Sequence, residues 1–183
     1  MWHVRINSPP WGNNPTLALF DDTLVTGASQ TIDLPFLDMP LLPDGDHFTK
    51  TGQCIFSHTL AKALSERILS DTRILILSDS TIDFHNWSNH DEWTGWASSS
   101  LTEALAAFTL NNATIDAVCG SGFVARAQYG EHFHARLSHH FRAGFRGAVV
   151  FIGGWNDANL LRVNDVVRSI QKCNSTVERY AHA

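Results

Sequence analysis

Four short segments carry residues that could do chemistry together. Ser78-Asp79-Ser80 follows the apolar run Ile74-Leu75-Ile76-Leu77 and offers a hydroxyl just past a strand. Gly120-Ser121-Gly122 follows Ile115-Asp116-Ala117-Val118 and offers backbone that can approach a ligand closely, because glycine has no Cβ. Gly154-Trp155-Asn156-Asp157 follows Ala148-Val149-Val150-Phe151-Ile152 and offers a carboxamide whose NH2 can donate to a developing oxyanion. Asp44-Gly45-Asp46-His47 offers an imidazole with a carboxylate three residues before it, a spacing that can hold the ring in the tautomer a serine needs. A nucleophile, a base with its orienting acid and convergent donors are the equipment of acyl transfer.

Each segment also has a plainer reading. Ser80 could cap the next helix, and Asn156 could be a helix N-cap with Asp157 in the first turn, which does not exclude an oxyanion role. His47 could be a surface histidine at a turn. His132 and His134 lie i, i+2 on an expected helix and face different ways, and His139 and His140 are adjacent, so neither pair suits metal chelation. Cys54, Cys119 and Cys173 are far apart, odd in number and without a C-x-x-C spacing. They read as buried free thiols. No metal and no organic cofactor is expected.

The elements that must position these segments alternate along the chain. The three apolar runs do not alternate in polarity, as expected of parallel strands covered on both faces. Between them lie helical patterns: Phe56, Leu60, Ala63, Leu64 and Ile68; Leu105 and Phe108 after a capping box at Ser100-Leu101-Thr102-Glu103; Phe133, Leu137 and Phe141 with Gly144 as a C′ stop; and an apolar stripe from Leu160 to Ile170. Strands alternating with helices argue for an α/β domain, with ligands at the carboxyl ends of the strands. Val4–Ile6 and Thr31–Leu34 could each be short strands. With no repeat, linker or low-complexity tract, residues 1–183 read as a single domain. Hydrophobic content of 44% and charged content of 17% describe an ordinary globule that buries about 70% of its unfolded surface.

At these residues the sequence resembles the SGNH hydrolases, also called GDSL esterases and lipases. Ser78-Asp79-Ser80 is similar to the family's glycine-aspartate-serine block, which makes Ser80 the nucleophile by resemblance. Ser121-Gly122 is similar to the second block, so Gly122 is favoured over Gly120 as the backbone oxyanion donor. Gly154-Trp155-Asn156-Asp157 matches Gly-x-Asn-Asp, with Asn156 as the side-chain donor. Asp44 to His47 matches Asp-x-x-His, and Gly52, Ala61 and Leu64 match the glycine and helix behind it. Ser78 departs from the family's glycine. The larger departure is order: Asp-x-x-His normally comes last, and here it precedes the nucleophile by more than 30 residues. A circular permutation would produce this, with old ends joined near Ser70-Asp71. The resemblance thus implies a flavodoxin-like three-layer α/β/α sandwich on a mainly parallel five-stranded sheet, with Val4–Ile6 and Thr31–Leu34 as its fourth and fifth strands. It also implies a serine esterase with Ser80, His47 and Asp44 as triad, and with Ser80, Gly122 and Asn156 as oxyanion hole.

The expected substrate is a small acyl ester, acetyl on a saccharide first, since no lid insertion or long apolar loop is evident. Trp155, beside Asn156, and Trp87, in the tryptophan-rich stretch after the nucleophile, could form flat walls for it. The alternative is a non-catalytic carbohydrate-binding or structural module on the same fold, for example in a phage particle. A net charge of −5 gives no long-range attraction for nucleic acid, and no apolar run is long enough to span a membrane. The N-terminus lacks a signal-peptide pattern, so a cytoplasmic or virion-associated protein is expected.

Overall fold

The computed structural model describes residues 2–6, 30–34, 40, 47–82, 96–126, 131–158, 160 and 162–181. Its strands are β1 (Trp2–Ile6), β2 (Gln30–Leu34), β3 (Ile74–Ser78), β4 (Ala113–Ala117) and β5 (Ala148–Ile152). Its helices are α1 (Lys50–Ser65), α2 (Trp96–Ala107), α3 (Phe133–Arg142), α4 (Trp155–Ala158) and α5 (Val163–Ala181). The strands form one sheet in the order β2-β1-β5-β3-β4, and every neighbouring pair is parallel. The chain is therefore an α/β protein, as the alternation of strands and helices implied.

The unbroken apolar runs have a direct packing reason. Successive strand side chains point to opposite faces. In β3, Ile74 and Ile76 join the core beside α1 and α2, while Leu75 and Leu77 join the core beside α3 and α5. Val150 and Ile152 of β5 face the first core, and Val149 and Phe151 the second. Both faces are covered, so these strands are apolar except at the carboxyl end of β3, where the buried Ser78 hydroxyl has no hydrogen-bond partner among the described residues. Ile32 and Leu34 extend the first core from β2. No helix among the described residues is long and apolar enough to cross a membrane.

Helix ends show where local signals sufficed. Thr49 caps α1 by accepting the Gly52 N–H at 3.2 Å. Gly144, at φ +86°, ends α3: its N–H donates to Phe141 O and the Phe145 N–H donates to His140 O, the paired bonds of a Schellman motif. Other expectations need correction. Ser100 is not a cap; α2 begins four residues earlier, at Trp96, and the buried Ser100 hydroxyl donates to Cys54 Sγ across the α1–α2 contact. The stripe expected from Leu160 starts later, because Leu160 is exposed in the turn before α5 and the buried apolar residues of α5 among those described are Val166, Ile170 and Cys173. Of the three thiols only Cys173 is buried, where desolvation pushes its pKa up; Cys54 is exposed. His132 is not helical but caps α3, its Nδ1 accepting the Ala135 N–H at 3.1 Å.

Candidate active site

Parallel strands put all their carboxyl ends on one edge; three described segments leave strands there and a fourth leads into α1. These are residues 47–49 before α1, 79–82 after β3, 118–126 after β4 and 153–157 after β5. The chain passes from β3 to β4 on one side, whereas β5 lies on the other side of β3. The ends of β3 and β5 thus flank the point where strand order reverses, the usual crevice of open α/β sheets.

Asp79 organises the turn that carries Ser80. The Ile82 N–H donates to Asp79 O at 3.1 Å and closes a tight turn over residues 79–82. Asp79 Oδ1 accepts the Thr81 N–H at 2.9 Å and the Thr81 hydroxyl at 2.7 Å, which fixes the turn around the half-buried Ser80. Asp79 itself is 1% exposed. Burial raises its pKa above the ordinary 3.8, against the lowering effect of the Thr81 bonds, and the nearby Asp157 charge raises it further. A Cβ on Gly153, at φ +154°, would lie 2.8 Å from Asp79 Oδ2, so a glycine is needed where β5 passes this carboxylate.

Asn156 reaches from the start of α4 back to the other two strand ends. Its Nδ2 donates to Ser121 O at 2.9 Å and, at a longer 3.3 Å, to Asp79 Oδ2. Its neighbour Asp157, 1% exposed, accepts three backbone N–H groups: Phe123 at 2.7 Å, and Val124 and Ala125 at 2.8 Å each. The carboxylate satisfies donors that a short irregular loop cannot pair internally. Residues 120–125 are thus tied to 156–157.

Arg136 was not among the residues singled out from sequence. Its guanidinium, on α3, is buried and donates to Ser78 O at 3.0 Å, Asp116 O at 2.9 Å and Ser121 Oγ at 3.2 Å. It thereby clamps the carboxyl ends of β3 and β4. A signal existed: Arg136 is three residues after Phe133 and one before Leu137, on the apolar face of α3. His140, one turn on, bonds Asp116 Oδ2 at 2.8 Å and so belongs to the same clamp.

The expected donor Gly122 needs correction. Its N–H donates to Ala125 O at 3.1 Å, and a Cβ would lie 2.5 Å from Asp157 Oδ2. It is glycine so that the loop can close over Asp157, and its N–H is already used. Gly120, at φ +76°, makes no backbone hydrogen bond through its N–H among the described residues.

His47 is half-buried at the carboxyl edge, next to Phe48, which is buried in the same core as Ile82 and Ile152. The Thr49 N–H and hydroxyl both donate to Pro40 O, at 2.9 and 3.0 Å. A Cβ on Gly52 would lie 2.5 Å from the same oxygen, so Gly52 allows this close approach. Trp155 is half-buried and packs against the α1–α2 core. Asp44 and Trp87 lie outside the described residues. No protein-family model, curated protein or solved structure matches the chain.

Proposed function

We propose that the protein is a serine esterase of the SGNH type that cleaves small acyl esters, acetyl on a saccharide first. One observation carries the reading: the segments with Ser80, Gly120 and Asn156 leave the sheet at one edge, around the point of strand reversal between β3 and β5, and His47 precedes α1, which runs from that side of the sheet back to the start of β3. Strand order adds support. Counted from β3 through β4 and β5 and then on to β1 and β2, the order β2-β1-β5-β3-β4 becomes 2-1-3-4-5 reversed, the flavodoxin-like arrangement. That is what a permuted chain of this family requires.

In this scheme Ser80 Oγ attacks the ester carbonyl carbon as His47 takes the hydroxyl proton, with Asp44 orienting the ring. The carbonyl oxygen becomes an oxyanion held by the Ser80 N–H, the Gly120 N–H and Asn156 Nδ2. The amide hydrogen on the long contact to Asp79 is the one Asn156 can redirect. Collapse breaks the ester C–O bond, and His47 returns the proton to the leaving alcohol. Water, deprotonated by His47, then attacks the acyl-serine; the bond to Ser80 Oγ breaks as His47 passes that proton to it, freeing the acid and restoring the serine. No step uses a metal or organic cofactor.

The test is p-nitrophenyl acetate turnover. Ser80→Ala should abolish it and should also prevent labelling by a fluorophosphonate probe. Asn156→Ala should lower kcat on the order of 10²–10³-fold. Equal turnover by wild type and Ser80→Ala would overturn the assignment and favour a non-catalytic module. A preference for dodecanoyl over acetyl esters would overturn the small-acyl reading.

A further inference from the structure

The chain carries a net charge of −5, yet one groove concentrates positive charge. It runs between α3 and α5 as two adjoining cavities of about 600 and 480 Å³, with Arg168 and Lys172 lining both. Arg126, Arg142, Arg162, Arg168, Lys172 and Arg179 line it, which is six of the chain's thirteen lysines and arginines. Among the described residues Asp165 is its one carboxylate, and that is bonded to Arg168 at 2.5 Å. Arg168, Lys172, Ser175 and Arg179 recur at i, i+4, i+7 and i+11, one face of α5. From Arg168 to Arg179 this stripe covers about 16 Å.

Like charges crowded along one face cost free energy unless an anion joins them. The crowding is felt locally: after burial, His132 and Lys172 both lower the pKa of His134. Ser138, Ser175 and Gln171 add uncharged hydrogen-bonding groups between the cations. Nucleic acid fits poorly, because single-strand grooves pair cations with open aromatic faces. Tyr180 is stacked on Phe141 at 4.8 Å on one face and has the Arg146 guanidinium 5.1 Å from its ring centroid. Phe123 is buried against Phe133 and Phe151.

We propose that this groove binds a linear acidic saccharide, with repeating carboxylate or sulfate groups set on Arg168, Lys172 and Arg179. Both α3 and α5 begin at the carboxyl edge, and Arg126 directly follows the loop that Asp157 anchors. One end of the groove therefore opens beside the candidate active site. That the bound polyanion is a saccharide, and the esterase substrate, rests on the function proposed above; that the groove takes a chain of repeating anionic groups does not.

The test is calorimetric titration of the full chain with polygalacturonate, heparin, neutral dextran and a single-stranded oligothymidylate. It compares wild type with the triple variant Arg168→Gln, Lys172→Gln, Arg179→Gln, whose fold is checked by circular dichroism. Polygalacturonate or heparin should bind, the tighter of the two identifying the anionic group, and dextran should not. Affinity should fall about tenfold or more between roughly 50 and 200 mM salt, as counterion release requires. The triple variant should lose about tenfold or more while keeping wild-type p-nitrophenyl acetate turnover. Binding by neither acidic saccharide, undiminished binding by the triple variant, or tighter binding of the oligothymidylate would overturn the proposal. Failure of Ser80→Ala to abolish turnover would remove the esterase reading alone.

Discussion

Asp79 is a carboxylate almost sealed from water, and its charge state is set by opposing effects. Desolvation raises its pKa, while two Thr81 bonds favour the ionised form. The net direction is upward. Between the unfolded value near 3.8 and the raised folded value, the native state therefore binds more protons than the unfolded state. Stability contributed by this group is full below 3.8 and is lost as pH rises through the folded pKa. In Asp79→Asn that slope disappears. Urea unfolding from about pH 4 to 8 should show wild type losing stability relative to the variant as pH rises. A difference independent of pH would show that Asp79 does not titrate in this range. The variant also puts an NH2 or a lone carbonyl oxygen where Asn156 and Thr81 both need acceptors, so the turn around Ser80 should shift. At this scale the sequence exposed Ser80, Asn156 and His47 by type and spacing. For Arg136 it offered only a position on the apolar face of α3; the carbonyls that explain a buried cation there, Ser78 O and Asp116 O, are brought to it by the fold.

The loop of residues 120–125 has no regular structure of its own, and its order comes from α4. Asp157→Ala should free three buried or half-buried N–H groups and lower the unfolding free energy by about 2–4 kcal/mol. Denaturant unfolding checks this, and a change below about 0.5 kcal/mol would mean that the loop finds other acceptors. Turnover should fall with it, since Gly120 and Ser121 lose their anchor beside Asn156. The elements themselves were largely legible. Apolar runs gave β3 and β5, and Phe133, Leu137 and Phe141 with Gly144 gave α3 and its end. The start of α2 was not, because Ser100 looks like a cap in sequence and becomes an interior residue only when its hydroxyl meets Cys54 across a helix interface.

In the whole molecule, the parallel sheet puts the start of β1, the end of α5 and the exposed turn at residues 69–71 all at the amino edge. A chain begun at Asp71 and joined from Ala183 through a short linker into Met1 should therefore keep every strand pairing. It should give the same circular dichroism spectrum and, on the function proposed above, p-nitrophenyl acetate turnover within about tenfold, since loops at such positions tolerate new ends. An unfolded product would show that the connection from α1 to β3 is needed for the sheet to form. The same scale explains the basic groove. Net charge sums over the surface and gives −5, whereas local potential depends on which side chains α3 and α5 bring side by side.

Sequence by itself determined the α/β class and the chemistry-bearing segments. Apolar period and glycine punctuation act within a few residues, and hydroxyl, amide and imidazole can be read directly. Only the tertiary structure decided strand order, and with it the shared edge. It also decided that the Gly122 N–H is turned inward onto Ala125, that Arg136 clamps β3 to β4, and that scattered cations line one groove. These depend on contacts between residues tens of positions apart, whose pairing is set by packing and hydrogen-bond satisfaction rather than by local preference.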